Sequence, residues 1–192
     1  MRPALEQKLI GMVRSSPRLM AALVAVRSLG LSSWCIGAGA VRSLVWDALH
    51  GFDAPSKLQD VDVVHFTSEA AGPVSDADLE RRLRTLMPAV QWEVTNQATV
   101  HHWFARSLGQ VVPALASLEE GVATWPEFAT CVGVYLNEDE SIGVVAPHGL
   151  GDLFGLRVRH NPLRASFAVF RQRVESKRFS ERWPLLSIDE NP

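Results

Sequence analysis

The segment from Trp34 to Phe66 limits the possible folds of this 192-residue chain more than any other. It begins with a short apolar strand, Trp34 to Ile36, which runs into the small-residue turn Gly37-Ala38-Gly39-Ala40 and then into an amphipathic helix. A loop, Phe52 to Gln59, leads to Asp60-Val61-Asp62-Val63-Val64, where acidic and apolar residues alternate as in a half-buried strand. The sequence therefore predicts a strand, a tight turn, a helix and a second strand around one centre.

The two parts of this segment have complementary chemistry. The N-terminus of the helix after the turn has free N–H groups and a favourable dipole, so it can bind an anion such as a phosphate. Asp60 and Asp62 lie on one strand face, with Cα atoms about 6.6 Å apart at a rise of about 3.3 Å per residue. Two such carboxylates can share a hard divalent cation, and Mg²⁺ is usually held by one or two carboxylates together with substrate phosphates. Together these features predict a metal-dependent phosphate site.

The segment is also compatible with two other interpretations. Gly37-Ala38-Gly39 with an acid about twenty residues later resembles a dinucleotide-binding turn, in which the acid binds a ribose hydroxyl. Against this, the third glycine position holds Arg42, and both acids precede the apolar part of their strand instead of closing it. The simpler interpretation is a tight turn and two solvated acids. The order and spacing of the two halves favour the metal-phosphate site over both.

Composition predicts one globular domain spanning residues 1–192. Apolar residues make up 47% of the chain and the formal net charge is −2, which gives no sign of a nucleic-acid groove, although basic residues concentrate between Arg157 and Arg182. Cys35 and Cys131 lie in apolar stretches without a metal-binding spacing, so we expect buried thiols in a reducing compartment. With no spanning helix or secretory signal in the sequence, we expect a cytoplasmic protein without a membrane partner.

The remaining periodicity predicts helices and short strands in alternation. Ser16 and Ser75 are expected helix caps, Gln91 to Val94 a strand, and Asn161-Pro162 the start of a long basic helix that ends near Lys177. Cys131 to Leu136 and Ser141 to Val145 are expected to form a hairpin. We divide the domain into a helical N-terminal extension (1–30), a core with the turn and the acid pair (31–110) and a C-terminal part (111–192).

Several motifs together resemble those of a known family. They are Gly37-Ala38-Gly39-Ala40-Val41-Arg42 with Val45-Trp46-Asp47, Asp60-Val61-Asp62-Val63-Val64, Asn96-Gln97 with Val100-His101, Trp125-Pro126-Glu127, Val132-Gly133-Val134, and Ala146-Pro147 with Asp152-Leu153-Phe154. In this order they resemble a family of bacterial nucleotidyltransferase-like proteins, over nearly the whole chain beyond the first helix. That family is similar in its core to the DNA-polymerase-β-type nucleotidyltransferase superfamily.

The resemblance implies an α+β fold and a set of site residues. The expected fold is a nucleotidyltransferase-like core with a mixed β-sheet flanked by helices, N-terminal helices, and a C-terminal hairpin plus helix. Gly37, Ala38 and Gly39 would face the triphosphate, with Arg42 neutralising its charge. The catalytic and metal-binding carboxylates would be Asp60, Asp62 and a third acid on the next strand, for which Glu93 is the candidate.

The implied activity is nucleotidyl transfer with Mg²⁺ or Mn²⁺. An acceptor hydroxyl would attack the α-phosphorus of a nucleoside triphosphate such as ATP and release pyrophosphate. The acceptor is not specified by the sequence and could be a small molecule, a protein side chain or an RNA end. The alternative is a non-catalytic module that keeps the fold and binds a nucleotide or a protein partner.

Overall fold

The computed structural model describes residues 2–57, 60–68, 75–108 and 111–189, and it is organised around a five-stranded mixed sheet. The strands lie in the order β3-β2-β1-β4-β5, so β1 is central; β2 and β3 are parallel, and the other neighbours are antiparallel. This confirms the predicted α+β class with a mixed sheet. The strands are β1 (Trp34–Gly37), β2 (Val61–His65), β3 (Trp92–Asn96), β4 (Gly133–Leu136) and β5 (Ile142–Val145).

Helices cover both faces of the sheet, and a short parallel pair of strands, β6 and β7, lies outside it. The helices are α1 (Arg2–Arg14), α2 (Pro17–Arg27), α3 (Gly39–Leu49), α4 (Asp76–Leu86), α5 (Val100–Leu108), α6 (Leu118–Ala123), α7 (Gly151–Phe154), α8 (Phe167–Lys177) and α9 (Phe179–Arg182), with a 3₁₀ turn at Phe128–Thr130. The outer strands are β6 (Arg157–Val158) and β7 (Ser187–Ile188).

The two faces of the sheet have different roles because side chains alternate along each strand. Ile36, Val63 and Val94 point to one face and join the large apolar core formed with α1 to α4. Cys35 and Val64 lie on the opposite face, in a smaller cluster with Val122 of α6 and the partly buried Trp125. Asp62 and Glu93 share this second face, which is therefore only partly covered and leaves room for a site.

Two predicted helix caps are confirmed. The side chain of Ser16 accepts a hydrogen bond from the amide of Leu19 at the start of α2, and Ser75 accepts one from Asp78 at the start of α4. Cys35 and Cys131 are both free and buried, as predicted. Of the predicted loop Phe52–Gln59, the described part, up to Lys57, contains neither helix nor strand, and residues 58 and 59 lie outside the described residues.

The predicted start of the long basic helix at Asn161-Pro162 is wrong. Helix α8 begins at Phe167, with Ser166 as its cap. Asn161 is fully buried instead, and its side-chain amide donates to the carbonyl oxygens of Ala123 and Trp125, so it ties the segment before α8 to the end of α6. Leu163, which the predicted helix would include, precedes α8 and is 60% exposed.

No single helix among the described residues is long and apolar enough to cross a membrane. Helices α1 and α2 reach the required length and hydropathy only as a pair, and they meet at 92°.

Candidate active site

The three predicted carboxylates lie on one face of the sheet. Asp62 of β2 is directly opposite Glu93 of β3 in the parallel register, so the two side chains leave the same face. Asp60, two residues earlier, shares that face, and all three residues line one cavity of about 630 Å³. The alternation of acidic and apolar residues in the sequence thus places the acids together.

The surroundings of Asp62 shift the pKa of its carboxyl group strongly. Burial, together with the smaller effect of the negative charges of Asp60 and Glu93, raises its pKa to about 6, although Lys177 and Arg42 act in the opposite direction. The acids therefore repel one another in a partly desolvated place. A bound cation would relieve this repulsion.

The turn between β1 and α3 brings the N-terminus of α3 next to Asp62. Ala38 has a φ of 46°, which is unfavourable for a residue with a Cβ, and its amide donates to the carbonyl of Val132. Gly39 begins the helix, and a Cβ built on it would lie 3.9 Å from Oδ2 of Asp62. The anion-binding end of α3 and the carboxylates are thus immediate neighbours, as a site for a metal-bound phosphate requires.

The two glycines of the turn have different surroundings. A Cβ on Gly37 would lie 2.4 Å from Cη2 of Trp125, so this glycine makes room for the indole ring. A Cβ on Gly39 would meet no atom closer than 3.7 Å, and Gly39 lines the cavity. The structure therefore explains Gly37 by packing and leaves Gly39 as the glycine exposed to a ligand.

This difference yields a prediction for Gly37→Ala and Gly39→Val. Gly37→Ala should lower the free energy of unfolding by about 1–3 kcal/mol, because Trp125 must move. Gly39→Val should melt close to the wild type but bind nucleoside triphosphate at least about tenfold more weakly, because its side chain fills the approach to the α3 amides. Thermal melting and calorimetric titration of both variants test this. A folded Gly39→Val protein with full affinity would contradict the phosphate role.

Arg42 is a buried cation held among aromatic rings. Its side chain is 4% exposed, and its guanidinium carbon lies 4.7 Å from the ring centroid of Phe179, 5.2 Å from Trp46 and 5.7 Å from Trp183. Burial lowers its pKa to about 10, so it remains charged at neutral pH. Its Nε has no hydrogen-bond partner, and the residue lines the cavity. Arg42 is therefore fixed in position and has an unused hydrogen-bond donor.

Asp47 connects the elements that hold Arg42 and the acid strand. Its Oδ1 accepts hydrogen bonds from Nε1 of Trp183 at 2.7 Å and from the hydroxyl of Ser56 at 2.6 Å, and its Oδ2 accepts one from the amide of Ser56 at 2.7 Å. Ser56 precedes Lys57, which lines the cavity. One buried carboxylate thus ties α3 both to the C-terminal segment and to the loop before Asp60.

Helix α8 supplies cations from the far wall of the cavity. Arg173 and Lys177, one turn apart, both line it. The Nε of Arg173 donates to Oε1 of Glu127 at 2.8 Å, and Glu127 is only 1% exposed and also accepts from Oγ1 of Thr130. Sequence reasoning missed Glu127 and Arg173 as a pair, since 46 residues separate them. The four-residue spacing of Arg173 and Lys177 on one helical face was the available signal.

The cavity has two chemically different halves with the carboxylates between them. The basic half lies around the N-terminus of α3 and the C-terminal ends of α8 and α9 and comprises Gly39, Arg42, Lys57, Arg173, Lys177 and Arg182. The aromatic half lies at and beyond the C-terminal ends of β2 and β3 and comprises Thr95, Gln97, Val100, Trp103, Phe104 and Arg164.

The donor set suits a metal ion that arrives with a phosphate ligand. Among the residues that the structure describes, no three His, Cys, Asp or Glu side chains are placed so that they could hold a metal ion by themselves. Asp60 and Asp62 provide carboxylate oxygens, and the burial and mutual repulsion that raise the pKa of Asp62 mean that a cation there would be stabilising. The residues thus fit Mg²⁺ completed by phosphate oxygens, and the part of Glu93 as third acid stays a prediction.

Comparison with known families identifies the family of this chain. A family model described as Nucleotidyltransferase matches residues 24–188. The chain belongs to this family. No curated protein matches the sequence significantly.

Solved structures show the same fold. An NMR structure described as revealing a CCA-adding enzyme head domain is 28% identical, with a TM-score of 0.80 and 96% of each chain covered. A CCA-adding enzyme solved with CTP (13% identity, TM-score 0.56) and the Thermotoga maritima CCA-adding enzyme complexed with tRNA (14%, 0.55) are similar over 96% of this nucleotidyltransferase chain. The chain spans only 43% and 42% of those two enzymes, and at such identity the likeness concerns the fold alone.

Proposed function

We propose that this nucleotidyltransferase transfers a nucleoside monophosphate from a nucleoside triphosphate to a hydroxyl acceptor, with Mg²⁺ or Mn²⁺ as cofactor. The observation that carries the proposal is the meeting of Asp60, Asp62 and Glu93 on one sheet face with the N-terminus of α3. Acids alone would repel a triphosphate, and cations alone would bind it without a place for a metal. Their adjacency in one cavity suits a metal-bound triphosphate.

In this proposal the basic half of the cavity binds the triphosphate. The amides at the start of α3 and the spare donor of Arg42 lie where its charge is greatest, and Arg173 and Lys177 approach from α8. These fixed cations stabilise the charge of the departing pyrophosphate without moving during the reaction. The aromatic rings around Arg42 exclude water from one side of its guanidinium, which strengthens its interaction with phosphate oxygens.

The carboxylates organise the reacting centre. When bound, Mg²⁺ would withdraw charge from the phosphate oxygens and make the α-phosphorus more open to attack. Asp60 and Asp62 would hold this ion, and Asp47 keeps the segment before Asp60 in place through Ser56. The acceptor oxygen bonds to the α-phosphorus, the bond to the pyrophosphate oxygen breaks, and the hydroxyl proton is lost. Glu93, which is exposed and faces Asp62, is our candidate to take that proton.

Pyrophosphate release tests the proposal. The purified protein is incubated with CTP, ATP, GTP or UTP and a panel of hydroxyl acceptors, with Mg²⁺ or with EDTA. We expect release with at least one triphosphate and acceptor in Mg²⁺, none in EDTA, and strongly slowed release with Asp62→Asn. Tight Mg²⁺-dependent binding without turnover on any acceptor would favour the non-catalytic module instead.

A further inference from the structure

The aromatic half of the cavity has groups to which the proposed function assigns no partner. Trp103 remains 53% exposed and contacts Phe104 edge-on, with ring centroids 5.2 Å apart. The guanidinium of Arg164 lies 5.5 Å from the centroid of the Phe104 ring, and its Nη2 donates to the carbonyl of Pro113. Its Nη1 is buried without a hydrogen-bond partner. The half thus combines open ring surface with one unused donor.

This inference rests on the proposed function. The in-line geometry of the proposed transfer determines which substrate lies in the aromatic half. In a phosphoryl displacement the attacking and leaving oxygens lie roughly in line on opposite sides of the phosphorus. The pyrophosphate leaves toward the basic half, beside α3. Asp62 and Glu93 are followed on their strand face by Val64, Thr95 and Gln97, which lead away from α3 toward Val100 and Trp103. The attacking hydroxyl therefore approaches from the aromatic half.

The chemistry of this half restricts the acceptor. None of the described residues that define this half is acidic, so a polycationic acceptor would find its counter-charges at the metal-binding carboxylates and not here. The exposed ring of Trp103 suits a planar partner, and Nη1 of Arg164 needs a hydrogen-bond acceptor that is not the reacting hydroxyl. A phenol has no second acceptor atom on its ring. A nucleobase has acceptor atoms along its edge and a π-face for stacking, and its ribose carries hydroxyl groups.

We propose that the aromatic half is the acceptor subsite and that the acceptor is a ribonucleoside, with its base stacked on Trp103 and its edge bonded to Arg164. The nucleoside is either free or the terminal residue of an oligonucleotide. Trp103 and Arg164 then determine the acceptor specificity, whereas the residues of the basic half do not contact the acceptor.

Calorimetric binding tests this without requiring turnover. Wild type, Trp103→Ala and the control Leu86→Ala, whose residue is 54% exposed on α4 away from the cavity, are loaded with Mg²⁺ and an α,β-methylene triphosphate that cannot be transferred. Each is titrated with the four ribonucleosides, dinucleoside monophosphates, N-acetyltyrosinamide and kanamycin. We expect at least one nucleoside to bind, about tenfold more weakly to Trp103→Ala and unchanged to Leu86→Ala. Tighter binding of a dinucleoside would identify an oligonucleotide end as the source.

Three results would overturn the inference. One is that no nucleoside or dinucleoside binds, or that tyrosinamide or kanamycin binds in their place. Another is equal nucleoside affinity of Trp103→Ala and wild type. The third is a loss in Trp103→Ala of affinity for the methylene triphosphate itself, because the aromatic half would then hold the base of the triphosphate, and the proposed function would stand. If the methylene triphosphate binds neither to the wild type nor to the variants in Mg²⁺, the proposed function fails. The nucleoside titrations then still test whether the aromatic half binds a nucleoside.

Discussion

Asp62→Asn should release pyrophosphate at least about 10³-fold more slowly than the wild type, because the loss of a charged metal ligand removes several kcal/mol of transition-state stabilisation. The same variant should melt at the same temperature as the wild type or higher in chelator. Partly buried Asp62 carries its charge beside Asp60 and Glu93 at a cost, and the amide avoids that cost. Slower turnover with equal or greater stability distinguishes a functional carboxylate from a structural one.

The stability of Asp62→Asn relative to the wild type should decrease as the pH falls. The pKa of Asp62 is about 6 in the folded protein against an ordinary value of 3.8, so the folded state binds the proton more tightly. Ionised Asp62 therefore lowers the free energy of unfolding above pH 6, by at most about 3 kcal/mol, and the cost disappears as the pH falls toward 4. The difference in melting temperature between Asp62→Asn and wild type in chelator should shrink over that range. An Asp62→Asn protein that melts well below wild type at pH 7 would mean that the carboxylate is structural.

Glu127→Gln should lower the free energy of unfolding by about 3 kcal/mol. Glu127 is 1% exposed and bonds Arg173 and Thr130, and its negative charge also stabilises buried Arg42. The substitution leaves two cations without their counter-charge in a partly dry place. The substitution adds no negative charge to the basic half. At temperatures where the variant is folded, its affinity for the triphosphate should therefore equal that of the wild type. Chemical denaturation and calorimetric titration measure the two effects separately.

Glu181→Gln is the matched control for this prediction. Glu181 forms an ion pair with Arg178 at the surface, where water screens both charges. The melting temperature of Glu181→Gln should therefore equal that of the wild type. If Glu127→Gln melts like Glu181→Gln, the buried pair does not stabilise the fold.

The features of the site that could be predicted from the sequence are those set by local periodicity. Asp60 and Asp62 lie on one face because the strand period is two, and Glu93 joins them because β3 follows β2 in parallel register. Arg42 lies on the first turn of α3, so its nearness to the phosphate-facing end follows from its position. What local pattern could not supply is its burial, which depends on Phe179 and Trp183 at the other end of the chain.

The parts that could not be predicted rest on long-range contacts of single residues. Asp47 meets Trp183 across 136 residues, and nothing in the spacing of either residue indicates that pairing. The misplaced start of α8 has a similar origin. Asn161-Pro162 is a good local start signal, but the Asn161 side chain bonds carbonyl groups at the end of α6 instead. Tertiary hydrogen bonds thus override the local preference for a helix cap.

Calorimetric titration of the wild type with a nucleoside triphosphate, in Mg²⁺ and in EDTA, tests the central claim most directly. If Asp60 and Asp62 hold a metal ion for the triphosphate in the basic half, affinity should be at least about tenfold greater in Mg²⁺, and Asp60→Asn and Asp62→Asn should lose that difference. Equal affinity of the wild type in Mg²⁺ and EDTA, or an Mg²⁺ effect that persists in both variants, would contradict the account.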